Sequence, residues 1–328
     1  MVSGQRGLVA AASEPAGRGP ASGHGLRDGD GKQILRIRAM KALVFGQTGQ
    51  VALELARRCP ADVEAVFLDR AAADLSDPAQ CAEIVATCEA DVILNAAAYT
   101  AVDRAEEEEA QALCVNGTSP TAMAEAAARR GLPLLHVSTD YVFDGSGTMP
   151  WHPDQPLSPL NAYGRSKAAG EAGLRRAGGR AAILRTSWVF SAYGANFVKT
   201  MLRLAKTRDV LSVVDDQIGG PTAAGDIADT LWRMAAGYVA NPDRPGGIYH
   251  FSGAPDVSWA AFAREIFAQV GCETVVQGIP GADYPTAAAR PGNSRLDCTG
   301  LAADFGIARP DWRRSLTHVL NDLRGGMT

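Results

Sequence analysis

Short apolar runs alternate along this chain with stretches whose apolar residues recur at helical spacing. Lys41-Ala-Leu-Val-Phe45 is an apolar run with Gly46 directly behind it, and predicts a buried strand. From Gln50 to Arg58, Val51, Leu55 and their neighbours follow a helical period. Glu64-Ala-Val-Phe-Leu68, ending at Asp69, and Asp91-Val-Ile-Leu-Asn95 predict two more strands. Thr118 to Arg130 is an Ala-rich helix stopped by Gly131 and Pro133. Leu134-Leu-His-Val-Ser138 reads as a fourth strand, and Arg180-Ala-Ala-Ile-Leu-Arg185 as a fifth; between them lies a helix carrying Tyr163 and Lys167. Strands alternating with helices imply a parallel sheet covered on both faces. With right-handed crossovers this is an α/β, doubly wound parallel sheet.

After about Trp188 the rhythm loosens. Gly219-Gly220-Pro221, Pro242 to Gly247 and Pro280 to Pro285 interrupt it, while helical patterns persist at 196–205, 226–236 and 259–270. The organisation expected is residues 40–190 as a nucleotide-binding core and 191–328 as late sheet elements mixed with a smaller, loop-rich C-terminal substrate-binding lobe. Residues 1–39 are rich in Gly, Ser, Arg and Ala, with no hydrophobic period and no apolar h-region. They read as a disordered extension, or an overlong translation start. Glu14, Asp28 and Asp30 count against a transit peptide.

Composition narrows the function classes. With 46% hydrophobic and 21% charged residues, the chain of 328 reads as an ordinary soluble protein with a full core. A net charge of -4 gives no reason to expect nucleic acid or an anionic membrane as partner. No apolar run approaches the length of a membrane span. Cys59, Cys81, Cys88, Cys114, Cys272 and Cys298 are scattered, which suits reduced thiols in a cytoplasmic protein. The five histidines stand alone, out of metal-ligand spacing, and read as structural or surface residues.

Gly46-Gln-Thr-Gly49-Gln-Val-Ala52 lies between the first strand and the first helix. Glycines there allow a tight turn and close approach of a pyrophosphate, and the helix start supplies N–H groups and a positive dipole end. Asp69 ends the next strand, where an acid can bond a ribose 2′-hydroxyl. Strand, turn, helix, strand and acid in that order point to dinucleotide binding, hence a Rossmann-type sheet. The acid argues for NADH. Arg70 beside it could accommodate the 2′-phosphate of NADPH, so both cofactors stay open. Asp74-Leu75 reads equally as an adenine contact or as a polar turn.

Tyr163-Gly-Arg-Ser-Lys167 places a phenol and an ammonium on one helix face. A nearby cation favours phenolate, which would make the phenol a proton donor and acceptor near neutral pH. Ser138-Thr139-Asp140-Tyr141 follows the fourth strand, at the end where such sheets bind ligands. A hydroxyl there can donate to a carbonyl gaining negative charge.

Together, Gly46-x-x-Gly49-x-x-Ala52, Asn95-Ala-Ala-Ala98, Ser138-Thr139 and Tyr163-x-x-x-Lys167 resemble the extended short-chain dehydrogenase/reductase superfamily. The segments 95–103, 138–145, 185–190, 216–222 and 290–297 narrow the resemblance to the dTDP-4-dehydrorhamnose reductase family, from Met40 to the C-terminus. That resemblance implies NADPH- or NADH-dependent reduction of the C4 keto group of a dTDP sugar. Tyr163 would give the proton, Lys167 lower its pKa and bond the nicotinamide ribose, and Thr139 hold the carbonyl oxygen. Gly49, Gln50 and Val51 would line the pyrophosphate, Asp69, Asp74 and Leu75 the adenosine, and Ala98, Tyr99 and Thr100 the strand end beside the cofactor. Asp140 and Trp188 would touch substrate, with Arg290 and Arg295 as candidates for the diphosphate. Some relatives hold magnesium between subunits through acids; Glu54 could serve, but no second glutamate stands near Gly225, so no metal is expected. A homodimer stays open. The rival readings are a dehydratase or epimerase of the same fold and a non-catalytic regulatory subunit of methionine adenosyltransferase type. Dehydratases pair Asp with Glu after the catalytic Thr, and here Asp140 is followed by Tyr141.

Overall fold

The computed structural model describes residues 39–326, so the expected extension lies, up to residue 38, outside the described residues. In chain order the elements are β1 (Met40–Phe45), α1 (Gln50–Arg57), β2 (Val63–Leu68), α2 (Pro78–Thr87), β3 (Val92–Asn95), α3 (Glu109–Leu113), α4 (Ser119–Arg130), β4 (Pro133–Thr139), α5 (Ala162–Ala177) and β5 (Arg180–Thr186). There follow β6 (Val189–Phe190), α6 (Phe197–Ala205), β7 (Val210–Val214), β8 (Ile218–Gly219), β9 (Thr222–Ala223), α7 (Ala224–Ala240) and β10 (Gly247–His250). The last are β11 (Val257–Ser258), α8 (Trp259–Val270), β12 (Val275–Ile279), β13 (Asn293–Ser294), α9 (Thr299–Phe305) and α10 (Trp312–Arg324).

The central sheet has six strands in the order β10-β5-β4-β3-β1-β2, every neighbouring pair parallel. The chain moves outward from β1 to β2, then crosses back to β3 on the other side of β1. This reversal makes a switch point at the carboxyl ends of β1 and β3, where open α/β sheets bind ligands. The strand ends are level there, with Phe45 paired to Asn95 and Thr139 to Thr186.

Side chains alternate between the two sheet faces, as the strand period requires. Leu43, Phe45, Ile93, Leu134 and Ile183 pack with Cys81 and Val85 of α2, Met123 of α4 and Leu174 of α5. Ala42, Val44, Leu94, Leu135 and Leu184 pack on the opposite face with Leu55 of α1 and Ile227 and Leu231 of α7. Each large aliphatic buried this way contributes roughly 1.5–3 kcal/mol. The predicted strand and helix positions are those observed, with ends differing by a few residues. The sixth strand, β10, was legible only as one of the late sheet elements, because the Pro and Gly residues before it blur its start. A separate core of Phe190, Val198, Leu211, Phe262, Ile266, Trp312 and Leu316 gathers residues of the second half of the chain. Among the described residues no helix is long and apolar enough to cross a membrane.

Local chemistry fixes the helix that matters most. The Asn161 side chain caps α5 by accepting from Gly164 N (2.8 Å), and its own amide donates to Ala289 O (2.8 Å). The helix then lies directly on its neighbours. A Cβ at Gly164 would stand 2.2 Å from Tyr141 O, and one at Gly170 would stand 2.2 Å from Asn116 O. Asn116 belongs to a π-helical turn, Cys114–Thr118, leading into α4. The predicted helix from Thr118 therefore begins as a wider turn whose bulge faces α5. Gly170→Ala is expected to push α5 outward and destabilise the fold by about 1–3 kcal/mol, the cost of overpacking; a lowered melting temperature checks it, and an unchanged one would mean the backbone contact is loose.

Candidate functional site

One cleft of about 1150 Å³ opens at the switch point, lined by the ends of β1 to β5, the start of α1, one face of α5, and Trp188, Phe197 and Trp259 from the second half of the chain. Its glycine end is built by backbone. Gly46 has φ +114, and a Cβ there would meet Ala97 N at 3.3 Å. This glycine lets β1 turn past the β3 end. At Gly49 an added Cβ meets no protein atom within 4 Å, so its open side belongs to the cleft. Gly49 heads α1 without a side-chain cap, and the first turn carries no acid. The amides of Gln50, Val51 and Ala52 precede the first intrahelical bond, made by Leu53 N to Gly49 O (2.9 Å). That is a donor set suited to an anion.

The neighbouring wall holds Asp69, Arg70, Asp74 and Leu75. Asp69 accepts from Ala72 N (2.8 Å), and Asp74 accepts from Ser76 N (2.8 Å), which holds its carboxyl below the usual range. Arg70 reaches Asp74 at 3.4 Å and is otherwise open to solvent. Opposite lie Ala98, Tyr99 and Thr100. Asn116 pins this strand end by donating to Tyr99 O (3.0 Å) and accepting from Tyr99 N (2.8 Å), and it also donates to Ser166 of α5 (3.0 Å). In the sequence, only its place before Gly117 and Ser119-Pro120 marks Asn116 as part of an irregular helix start.

Tyr163, Lys167, Thr139 and Asp140 share the same cleft. Packing around the Tyr163 phenol pushes its pKa up to about 12, against a hydrogen bond with Thr139 that lowers it. Burial thus works against the phenolate expected from the Tyr–Lys spacing. Lys167, 1% exposed, donates to Val137 O (2.7 Å) and lies 3.0 Å from His136 Nε2. Burial lowers its pKa to about 8, opposed by Glu171. His136, read as merely structural, thus touches the lysine, and its other ring nitrogen lies 3.0 Å from Asn95 Nδ2. Thr139 donates to Asp140 Oδ1 (3.0 Å), and burial raises Asp140 to about 6. Ser138 turns away and donates to Glu171 (2.6 Å). Thr186 Oγ1, also on the cleft wall, is buried with no hydrogen-bond partner among the described residues, a polar atom left for a ligand.

Trp188 also lines the cleft. The two arginine candidates do not enter it. Arg290 is paired to Asp103 (2.7 Å) and lines a second, smaller cavity with Asp216 and Tyr284, although its charge reaches the Tyr141 hydroxyl. Arg295 donates to Asn293 Oδ1 (3.0 Å) and lines neither cavity. Each guanidinium thus has an acceptor within the fold, and Arg290 also lines the second cavity. Glu54, weighed for metal, is buried and paired with Arg57 (2.8 Å) and Arg58 (3.0 Å), which neutralise it without a cation.

The model of the RmlD substrate binding domain matches residues 40–324. A dTDP-4-dehydrorhamnose reductase of Sinorhizobium fredii is 44% identical over 286 residues, covering 86% of this chain and 97% of that protein. A crystal structure of a dTDP-4-dehydrorhamnose reductase from Clostridium acetobutylicum aligns with a TM-score of 0.81 at 32% identity, over 87% of this chain and all of that one. Another, from Bacillus anthracis and in complex with NADP, aligns at 0.80 with 31% identity, over 86% of this chain and 99% of that one.

The buried Lys167 gives a pH signature. Its folded pKa lies below the unfolded value, so between about 8 and the ordinary lysine range the unfolded chain binds more protons, and stability from this group rises with pH. Wild type is expected to gain melting temperature relative to Lys167→Met as pH climbs from 8 to 10. A difference that stays constant over that window would show the ammonium to be solvated.

Proposed function

The chain belongs to the RmlD substrate binding domain family, and from that premise we propose that it reduces the C4 keto group of dTDP-4-dehydro-β-L-rhamnose to give dTDP-β-L-rhamnose, using NADPH or NADH. The observation that carries the reading is convergence: the uncapped glycine turn, Thr139, Tyr163 and Lys167 all line one cleft at the switch point. The residues present fit a nicotinamide dinucleotide. The α1 amides and the open side of Gly49 would receive its pyrophosphate, and Asp69, Asp74 and Leu75 its adenosine. When bound, the nicotinamide supplies the hydride that reaches the sugar C4.

The protein's part is orientation and proton handling. Tyr163, and Thr139 once its hydroxyl turns from Asp140, donate hydrogen bonds to the keto oxygen as negative charge grows there. Tyr163 then releases its proton to that oxygen. A phenol held near pKa 12 keeps its proton until the alkoxide forms, which suits an acid in the reductive direction. The Lys167 ammonium, on the same helix face, offsets the charge left on the phenol. Asp140, Thr186 and Trp188 are proposed to face the sugar. The six cysteines, all free, support a reducing compartment, for which we propose the cytoplasm.

The test supplies the 4-keto sugar made enzymatically from dTDP-glucose and follows the absorbance of each reduced nicotinamide. Turnover with either supports the reading. No oxidation of either, or co-purification of tightly held NAD with release of a dehydrated sugar, overturns it. Tyr163→Phe is expected to lower kcat at least ~100-fold, the scale of a positioned acid; near wild-type turnover would remove Tyr163 from the role.

A further inference from the structure

Trp188 is the one non-glycine residue with positive φ among the described residues, at +49. A bulky side chain keeps that backbone only when its surroundings impose it. Here they do so from two sides. The indole of Trp259 stacks on Trp188 with ring centroids 3.5 Å apart and planes 10° from parallel. On another side is the Gly219 backbone, so close that a Cβ there would stand 2.9 Å from Trp188 Cε2 and 3.0 Å from Nε1. Trp259 is itself anchored. It opens α8, where Ser258 caps the helix by accepting from Ala261 N (3.0 Å), and its ring lies 4.6 Å from that of Phe197. Trp188 O accepts from Thr222 N (3.2 Å), which ties the strained residue to β9.

We infer that Trp259 and Gly219 are positioning residues that clamp the Trp188 indole as a fixed wall of the cleft, and so set affinity for the sugar of the nucleotide-sugar substrate. The inference rests on the reading above that Trp188 faces the sugar. Neither clamp residue needs to touch the reacting atoms. Their effect is preorganisation: a wall present all of the time binds better than one present for a fraction of it, and apparent affinity falls by that fraction.

The experiment combines a spectroscopic and a kinetic readout. Closely stacked indoles give an exciton-split signal in circular dichroism, so wild type should show one that Trp259→Leu abolishes. If the released indole holds its place about a tenth of the time, the sugar KM of Trp259→Leu rises roughly tenfold. The nicotinamide KM is expected to move less than the sugar KM, because among the described residues neither Trp259 nor Gly219 bonds to the glycine turn or Asp69; the nearest link is Asn196, beside Phe197, which donates to Gln50 Oε1 (2.9 Å). Trp259→Tyr, which keeps a stacking ring, should bring the sugar KM most of the way back. Gly219→Ala, which would press on Trp188 and on Ser294 Cβ alike (2.9 Å each), should raise the sugar KM in the same direction, and adding Ser294→Gly, which relieves only the second contact, should not bring it back. An unmoved sugar KM in both Trp259→Leu and Gly219→Ala overturns the inference, as does a wild-type spectrum without the split signal. A wild-type chain that leaves the sugar unreduced overturns the functional reading and this inference together, and is told apart because no variant is needed to see it.

Discussion

The ion pair between Glu171 and Arg185 is the contact on which the arrangement of the site depends. Both side chains are at most 1% exposed, and the guanidinium meets the carboxylate twice, Nε to Oε1 at 2.9 Å and Nη2 to Oε2 at 2.6 Å. Two charges taken out of water tolerate little misalignment, because the lost hydration is recovered only in good geometry. Ser138 Oγ donates to the same carboxylate, Pro153 O and His250 satisfy the guanidinium, and the Phe143 ring lies 5.0 Å from its carbon. The pair therefore fixes α5 against both β4 and β5. Tyr163, Lys167 and Glu171 stand four residues apart along one stripe of α5, so the helix cannot rotate at its anchored end without moving the phenol. The glycines that let α5 touch Tyr141 and Asn116 remove the remaining freedom.

The same stripe explains the electrostatics. Burial works against the charge of Lys167, while the carboxylate one turn away works for it. Val137 O and the neutral His136 ring complete its surroundings; burial and the lysine charge hold the His136 pKa well below its ordinary value. A lysine so placed is poised between its two protonation states, and charge appearing on the nearby phenol would tip it toward the ammonium.

What the sequence made legible was local. The strands, the glycine turn and the Tyr–Lys spacing each depend on residues within one element and its flanks, and each stands where its period placed it. What stayed hidden depends on partners far along the chain. Arg290 looked available for a diphosphate because Asp103 lies nearly two hundred positions away, and Arg295 because an asparagine two residues back gives no warning in one dimension. His136 looked idle until β4 met α5. Asn116 looked like one helical residue among others, although its side chain spans the β3 end and α5 at once. For the phenol the same limit holds: spacing shows that two side chains share a helix face, but not what surrounds them, and burial raises the Tyr163 pKa.

The walls of the cleft differ in chemistry according to which part of the fold builds each. Near β1 and α1 it is made of backbone amides and a helix start, which favour anions without any side-chain charge. In the middle it is made of hydroxyls and a buried lysine, delivered by β4, β5 and α5. Beyond β5 it is aromatic, and there the walls come from the second half of the chain, packed on its own core of Phe190, Phe262 and Trp312. β10 belongs to the central sheet and α7 packs beneath it, so the two halves interleave, and the aromatic wall is carried on the same framework as the phenol. A ketone resting against that wall would be placed by side chains that share one rigid sheet. This is why an acid that keeps its proton until charge appears can serve without being driven toward phenolate beforehand.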